Sequence, residues 1–303
     1  MSNDLIDFAS YPVLPYWTKV RDPLFEIIAT IKNLVDRDLR KELEARAKGM
    51  RIWLLTHVRV AEQVQELVEG VAGLVKTKTM RLQVGVTLPP LARVVFDSVC
   101  SLMFVFENPG ERLSWFWKST WREIVQDCKE LTADYGNDPI WQPWIAGLVK
   151  ERDAWVAHLA QQGTPLTAAE LADETEVDYW PNPGGMARRT LDADRRERLR
   201  YISLKYYGDL SGAAHLSGTG LLAQGGMFVS SVTEDAKKKY VSDQILKALT
   251  GLFALVSECA IDVIRDPALA RRVVGLWQSP NLWPNAVETY ARCFQPRLEQ
   301  LAR

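Results

Sequence analysis

The sequence contains little histidine, little cysteine and almost no excess charge. Only three histidines occur in 303 residues, and the four cysteines lie far apart without a Cys-x-x-Cys pair. Isolated cysteines of this kind are typical of buried thiols in a reducing compartment, and not of disulfides or a zinc site. Lysine and arginine number 37 against 38 acidic residues. Because the whole chain has no field that attracts nucleic acid, any basic surface has to be local.

Other signatures are also missing. The chain has no Gly-x-x-x-x-Gly-Lys phosphate loop, no His-Glu-x-x-His motif and no Glu-x-x-His pair of a di-iron bundle. We therefore expect neither a cofactor nor a metal. Acidic residues interrupt the longest apolar runs, 94–106 and 251–264, and the amino terminus lacks the apolar core of a signal peptide. These features predict a cytoplasmic protein without a membrane partner.

Helical periodicity dominates the chain, and the alternating pattern of strands is nearly absent. The sequence therefore predicts an all-α protein, a multi-helix bundle of roughly eight to ten helices. Residues 1–303 form either one large domain or two halves, 1–163 and 186–303. Asp22-Pro23 predicts a helix that begins at Leu24, and Pro89-Pro90 predicts another that begins after them. Thr167 and Glu170 form a predicted capping box.

The most informative run is Arg152-Asp153-Ala154-Trp155-Val156-Ala157-His158. Arg152 lies on a predicted apolar stripe formed by Trp141, Ile145, Leu148, Trp155 and Leu159. A buried arginine there needs an acidic partner, a ligand phosphate or another subunit. Histidine moves protons near neutral pH, a guanidinium stabilises charge in phosphoryl transfer, and Asp153 could orient either group. Arg51 and His57 have the same spacing, but isoleucine in the second position favours coincidence.

This run resembles the signature of the HEPN superfamily (higher eukaryote and prokaryote nucleotide-binding), in which arginine, a polar residue, a short spacer and histidine lie on one helix. The resemblance covers this helix only. It implies a metal-independent endoribonuclease, a toxin or antiviral effector, that cuts RNA as a homodimer or larger assembly. The catalytic residues would be Arg152, Asp153 and His158. A structural ion pair is the alternative interpretation of the same residues.

A second set of polar residues lies in apolar helices. Tyr207, Ser211 and His215 follow one another at i, i+4 spacing, as do Arg93 and Asp97. With Asn108-Pro109 and Trp180 between them, these motifs resemble a family of uncharacterised bacterial helical proteins, which usually has glutamate in place of Asp97. We expect one network from the five residues, either a buried hydrogen-bond cluster or a small-molecule pocket.

A predicted helix over 186–207 is rich in arginine. Its candidate RNA-binding residues are Arg188, Arg189, Arg195 and Arg196, since such a helix can follow a phosphate backbone. The acidic segment Glu170–Asp178 offers the opposite interpretation, in which the two segments neutralise one another.

Three functions follow from these patterns. The first is a HEPN-like ribonuclease effector or toxin in phage defence or the stress response. The second is a non-catalytic sensor, regulator or assembly module that binds a partner protein. The third is a helical protein that binds a small molecule at Arg93, Asp97, Tyr207 and His215.

Overall fold

A computed structural model describes residues 5–6, 13–76, 80–81, 83–214, 233–279 and 283–303. These residues form twelve helices and one antiparallel pairing of Leu5–Ile6 with Met80–Arg81. The all-α prediction is therefore confirmed, but the predicted number of eight to ten helices is too low.

The twelve helices are numbered in chain order. They are α1 (Val13–Asn33), α2 (Arg40–Arg46), α3 (Met50–Lys76), α4 (Gln83–Val105), α5 (Pro109–Tyr135), α6 (Gln142–Gln161), α7 (Ala168–Ala172), α8 (Pro183–Arg189), α9 (Ala193–Ile202), α10 (Glu234–Glu258), α11 (Pro267–Trp277) and α12 (Pro284–Thr289). Four of them continue through π-helical turns: α1 through Leu34–Asp38, α9 through Ser203–Tyr207 into Gly208–Ala214, α10 through Cys259–Ile264, and α12 through Tyr290–Phe294 into Gln295–Ala302.

Side-chain caps fix the beginnings of several helices. The capping box before α7 is confirmed, because the Thr167 hydroxyl accepts the Glu170 N–H and the Glu170 carboxylate accepts the Thr167 N–H. Asp192 caps α9 and Asp266 caps α11, because each carboxylate accepts a backbone N–H of the first helical turn. The predicted continuous helix over 186–207 is therefore two helices, since Asp192 starts a new one.

Two predicted helix starts are wrong because proline lies inside the helix. Pro23 lies within α1, and Pro89 and Pro90 lie within α4. An interior proline costs about 3 kcal/mol. The buried stripe of α1 continues across Pro23, with Val20 and Leu24 both fully buried. Packing of that stripe outweighs the local penalty.

The chain divides into two compact units. One consists of the described residues of Met1–Arg40, Ile52–Phe106 and Pro183–Arg303, and the other of Lys41–Arg51 and Glu107–Asn182. Whether the chain folds as one domain or as two halves stays a prediction.

The core of the first unit forms around α4 and α10. Gly251 of α10 lets the two helices approach closely, since a Cβ there would lie 3.1 Å from the Val95 side chain. Phe96 of α4 stacks on Tyr206 with 4.4 Å between ring centres. Trp277 packs against Phe253 at 5.3 Å and donates to the Ser257 hydroxyl at 2.9 Å. This core holds the helices that carry most of the candidate residues.

One helix is long and apolar enough to cross a membrane by length and composition. Its window is Leu88–Val105 of α4, and 72% of that window is buried inside the molecule. Arg93 and Asp97 lie inside this window and interrupt its apolar run. The burial is what the core helix of a folded unit requires.

The second unit has its own small core, where α5 packs on α6. Trp121, Val125, Leu159 and Val177 are buried there, and Trp117 and Trp155 pack against them. By contrast, Trp144 at the beginning of α6 is 56% exposed. Trp117, Trp121 and Trp155 therefore contribute to this core, whereas Trp144 does not.

Candidate functional site

Arg152 lies on a largely exposed helix. Of the residues in α6 only Leu159 is buried, and the other stripe residues of this helix, Ile145, Leu148 and Trp155, are half-buried. The Arg152 side chain is 38% exposed. Its Nε and Nη2 donate to the Asp153 Oδ1 at 2.9 and 2.8 Å. The acidic partner that the sequence required is thus its neighbour in the chain.

His158 has different surroundings from Arg152. Its ring packs edge-on against Trp155 and Trp117, at 5.1 and 5.8 Å between ring centres. A spacing of six residues corresponds to about 9 Å along a helix and about 120° around it. Arg152 and His158 therefore have different contacts, a carboxylate for the arginine and two indole rings for the histidine.

His57, from the run with the same spacing, is a structural residue. Its Nδ1 lies 2.9 Å from the Ser98 hydroxyl, which itself donates to the Val94 carbonyl at 3.0 Å. The ring packs on Trp53 at 4.5 Å. Burial lowers the pKa of His57 to about 4. Neutral imidazole fits this place, and the interpretation of this run as a coincidence agrees with the geometry.

Arg93, Asp97 and Tyr207 meet between α4 and the π-helical turn of α9. Arg93 Nη2 donates to the Tyr207 hydroxyl at 3.0 Å, and Arg93 Nε lies 3.6 Å from Asp97 Oδ2. Burial raises the pKa of Asp97 to about 6, against the opposing charge of Arg93. Ser211 follows one turn after Tyr207 and is half-buried. His215 lies outside the described residues.

The inner face of α9 carries buried, ion-paired arginines. Arg195 Nη1 donates to the Met103 carbonyl at 2.5 Å, and its Nη2 lies 3.0 Å from Asp262 Oδ2. Arg198 pairs with Glu258, and both side chains are almost fully buried. Arg195 was a predicted RNA-binding residue. In the structure it is buried, because α10 and its π-helical turn present carboxylates to this face.

Arg297 completes this buried group. Its Nη2 donates to Asp262 Oδ1 at 2.8 Å. Burial acts to raise the pKa of Asp262, but Arg195 and Arg297 hold that pKa below its ordinary value. Asp262 therefore stays ionised between two guanidinium groups, and none of these charges is available to a ligand.

The outer face of α9 forms one wall of a cleft, which we call the arginine cleft. Its volume is about 840 Å³. It is lined by Gly184, Ala187, Arg188, Ala193, Arg196, Glu197, Arg200, Tyr201, Ser203 and Leu204. Arg188, Arg196 and Arg200 are exposed, and none is ion-paired with a residue that the structure describes. Arg189 is exposed at the end of α8 and does not line the cleft.

Two carboxylates of the acidic segment have lysine partners in their own unit. Lys118 of α5 bonds to Glu170 at 2.7 Å, and Lys129 pairs with Glu174. The alternative of mutual neutralisation stays a prediction.

Arg200 and Tyr201 are residues that the four-residue RNA-binding prediction left out. The i, i+4 spacing of Arg196 and Arg200 was the available signal, since this spacing places two side chains on one helix face. Nothing in the sequence marked Tyr201, because its place in the cleft depends on how α8 packs on α9.

No protein-family model matches this chain, and neither a curated protein nor a solved structure shows significant similarity to it. The resemblances to the HEPN superfamily and to the uncharacterised helical family therefore depend on the motif residues alone. The chain is therefore an all-helical protein, and its arginine cleft is basic.

Proposed function

We propose that the protein binds RNA in the arginine cleft. The observation that supports this most is the convergence of Arg188, Arg196 and Arg200 on one recess without a carboxylate partner among the described residues. The neighbouring Arg195 and Arg198 show that α9 can pair its arginines where a partner is supplied. Guanidinium groups that have no carboxylate partner among the described residues can donate to phosphate oxygens.

The charge of the cleft favours a polyanion. Three arginines stand against Glu197 as the one acidic residue in the lining. Side chains at i, i+4 on a helix lie about 5–6 Å apart at Cβ, so Arg196 and Arg200 can contact adjacent phosphates of one strand. This local basic surface is the kind that a chain of near-zero net charge needs in order to bind RNA.

Charge removal tests the proposal. We expect Arg196→Ala/Arg200→Ala to weaken binding of a fluorescein-labelled RNA of roughly 20 nucleotides at least about tenfold, since a bond to a charged group contributes about 1.5–3 kcal/mol. The slope of log affinity against log salt should fall by about 0.7 for each arginine removed. Fluorescence anisotropy at several salt concentrations measures both.

The matched control is Arg37→Ala/Arg59→Ala, which removes two exposed arginines from outside the cleft. It should bind like the unmodified protein. Equal weakening in both double variants would contradict the proposal. So would displacement of RNA by polyglutamate of equal charge at equal concentration, because that result would assign the cleft to an acidic protein partner.

The second candidate is metal-independent ribonuclease activity at Arg152 and His158. It is favoured by Asp153, which holds the half-exposed Arg152 guanidinium in one orientation. His158 would deprotonate the ribose 2′-hydroxyl or protonate the leaving oxygen, and Arg152 would stabilise the phosphorane. Because Arg152 bonds to Asp153 while His158 packs on two tryptophans, a second copy would bring its own run to the same phosphodiester.

RNA degradation in EDTA tests this candidate. We expect the unmodified protein and His57→Gln to degrade a generic RNA, and His158→Ala to lose the activity while keeping its thermal unfolding temperature. Degradation by His158→Ala at the unmodified rate, or no degradation by any of the three, would rule this candidate out and leave RNA binding to be judged separately.

A further inference from the structure

The arginine cleft is larger and more apolar than a site for phosphates alone. Its volume of about 840 Å³ lies within the range of about 300–1,000 Å³ that is typical of sites for whole small molecules. Ala187, Ala193 and Leu204 line it together with the arginines. Leu204 is 73% exposed to solvent. A ligand that fills this recess therefore needs an apolar body as well as negative charge.

Tyr201 is the aromatic residue of the lining, and its ring is held in place. Lys205 Nζ and Arg292 Cζ each lie over the ring at 5.5 Å from its centre, and the hydroxyl lies 3.4 Å from the Thr289 Oγ1. Lys205 and Arg292 both pair with Glu288. Glu288 neutralises one of these two positive charges, and both cations hold the ring in place.

A fixed ring beside open arginines is the combination that single strands require. Unpaired bases stack on aromatic side chains while guanidinium groups contact the backbone phosphates. In an A-form duplex the bases are stacked on one another, so their faces cannot reach a ring inside a recess. We infer that the arginine cleft selects single-stranded RNA by stacking one base on Tyr201. This inference rests on the proposed RNA binding.

The experiment compares three labelled ligands with equal numbers of phosphates. They are an unstructured single-stranded RNA, an RNA duplex and a single strand whose residues are abasic. We expect the unmodified protein to bind the single-stranded RNA at least about fivefold more tightly than either other ligand, which is the lower end of the effect of one stacked base. This comparison needs no variant, so it is valid whether or not a variant folds.

Two variants then assign the preference to the ring. Tyr201→Leu should lose the preference for single strands, and Tyr201→Phe should restore it because the ring is kept. Tyr135→Leu, which changes a tyrosine that is 41% exposed outside the cleft, should keep it. Urea unfolding confirms that each variant is folded.

The outcomes separate the inference from the proposed function. Equal affinity for duplex or abasic strand, or an unchanged preference in Tyr201→Leu, would overturn the selection of single strands. If Arg196→Ala/Arg200→Ala weakens all three ligands equally in that case, RNA binding at the cleft still holds. If that double variant weakens none, RNA binding at the cleft itself is wrong.

Discussion

Arginines on the two sides of α9 have opposite surroundings. Arg195 and Arg198 are buried against Asp262 and Glu258, whereas Arg196 and Arg200 point into an open cleft. The residue type is the same and the positions alternate along ten residues of one helix. The difference teaches that an arginine count says nothing about phosphate binding until the partner of each side chain is known.

The two sets also differ in what they do for stability. The attraction within a buried ion pair offsets only part of the free energy that desolvation costs. Loss of one partner is nevertheless destabilising, because the other charge stays buried without compensation. Exposed charges are solvated in either state and contribute little. The inner arginines therefore fix the helices against one another, and the outer ones are free to exchange water for a ligand.

The largest expected effect is on the inner face. Glu258→Ala should lower the free energy of unfolding by about 3 kcal/mol, because the buried Arg198 would keep only its bond to the solvent-exposed Asp194. Arg196→Ala/Arg200→Ala should change it by less than about 0.5 kcal/mol. Urea unfolding followed by circular dichroism measures both values.

Equal free energies of unfolding for Glu258→Ala and Arg196→Ala/Arg200→Ala would contradict the distinction between inner and outer arginines. A further control is Arg198→Met/Glu258→Leu, in which neither charge remains. It should recover most of the stability that Glu258→Ala loses, since paired charges can be replaced by apolar residues at little cost.

An intermediate effect is expected for histidine, where burial again separates two residues of one type. The pKa of His57 is lowered to about 4 by burial, so the unfolded chain binds a proton first as pH falls. Stability should be complete above about pH 6.5 and fall by about 3 kcal/mol towards about pH 4. His57→Gln should remove this part of the pH dependence. Unfolding curves across this range test it, and His158→Gln, which leaves the buried ring intact, should retain it.

The smallest expected effect is on the outer face. Glu197→Gln removes the one acidic side chain of the cleft lining and should raise RNA affinity about threefold at low salt, with less gain at high salt. Anisotropy titrations measure this change. Glu66→Gln removes an exposed acid elsewhere in the first unit. An equal gain in that variant would show that overall charge, and not the cleft, sets the affinity.

Local signals predicted local structure well. Thr167 with Glu170 marks a helix start that the structure contains, because a cap needs only neighbouring residues. Pro23 failed as a helix start, since packing of residues far away in the chain decides whether a helix continues through proline.

The polar network was predicted in part. The i, i+4 spacings of Arg93 with Asp97 and of Tyr207 with Ser211 indicated two polar faces, and the structure joins Arg93 to both Asp97 and Tyr207. The apolar stripe of α6 was predicted from the same periodicity, and its residues are half-buried except for Leu159, which is buried. Periodicity indicates that a face exists, but not that another helix covers it.

The sequence by itself determined the helical class, the caps and the arginines that share a face of α9. Only the tertiary structure decided that Arg198 meets a buried glutamate and that Arg196 and Arg200 meet an open cleft. The physical reason is that helix geometry fixes directions within about two turns, whereas burial and charge pairing depend on residues such as Glu258, which lies 60 positions further along the chain.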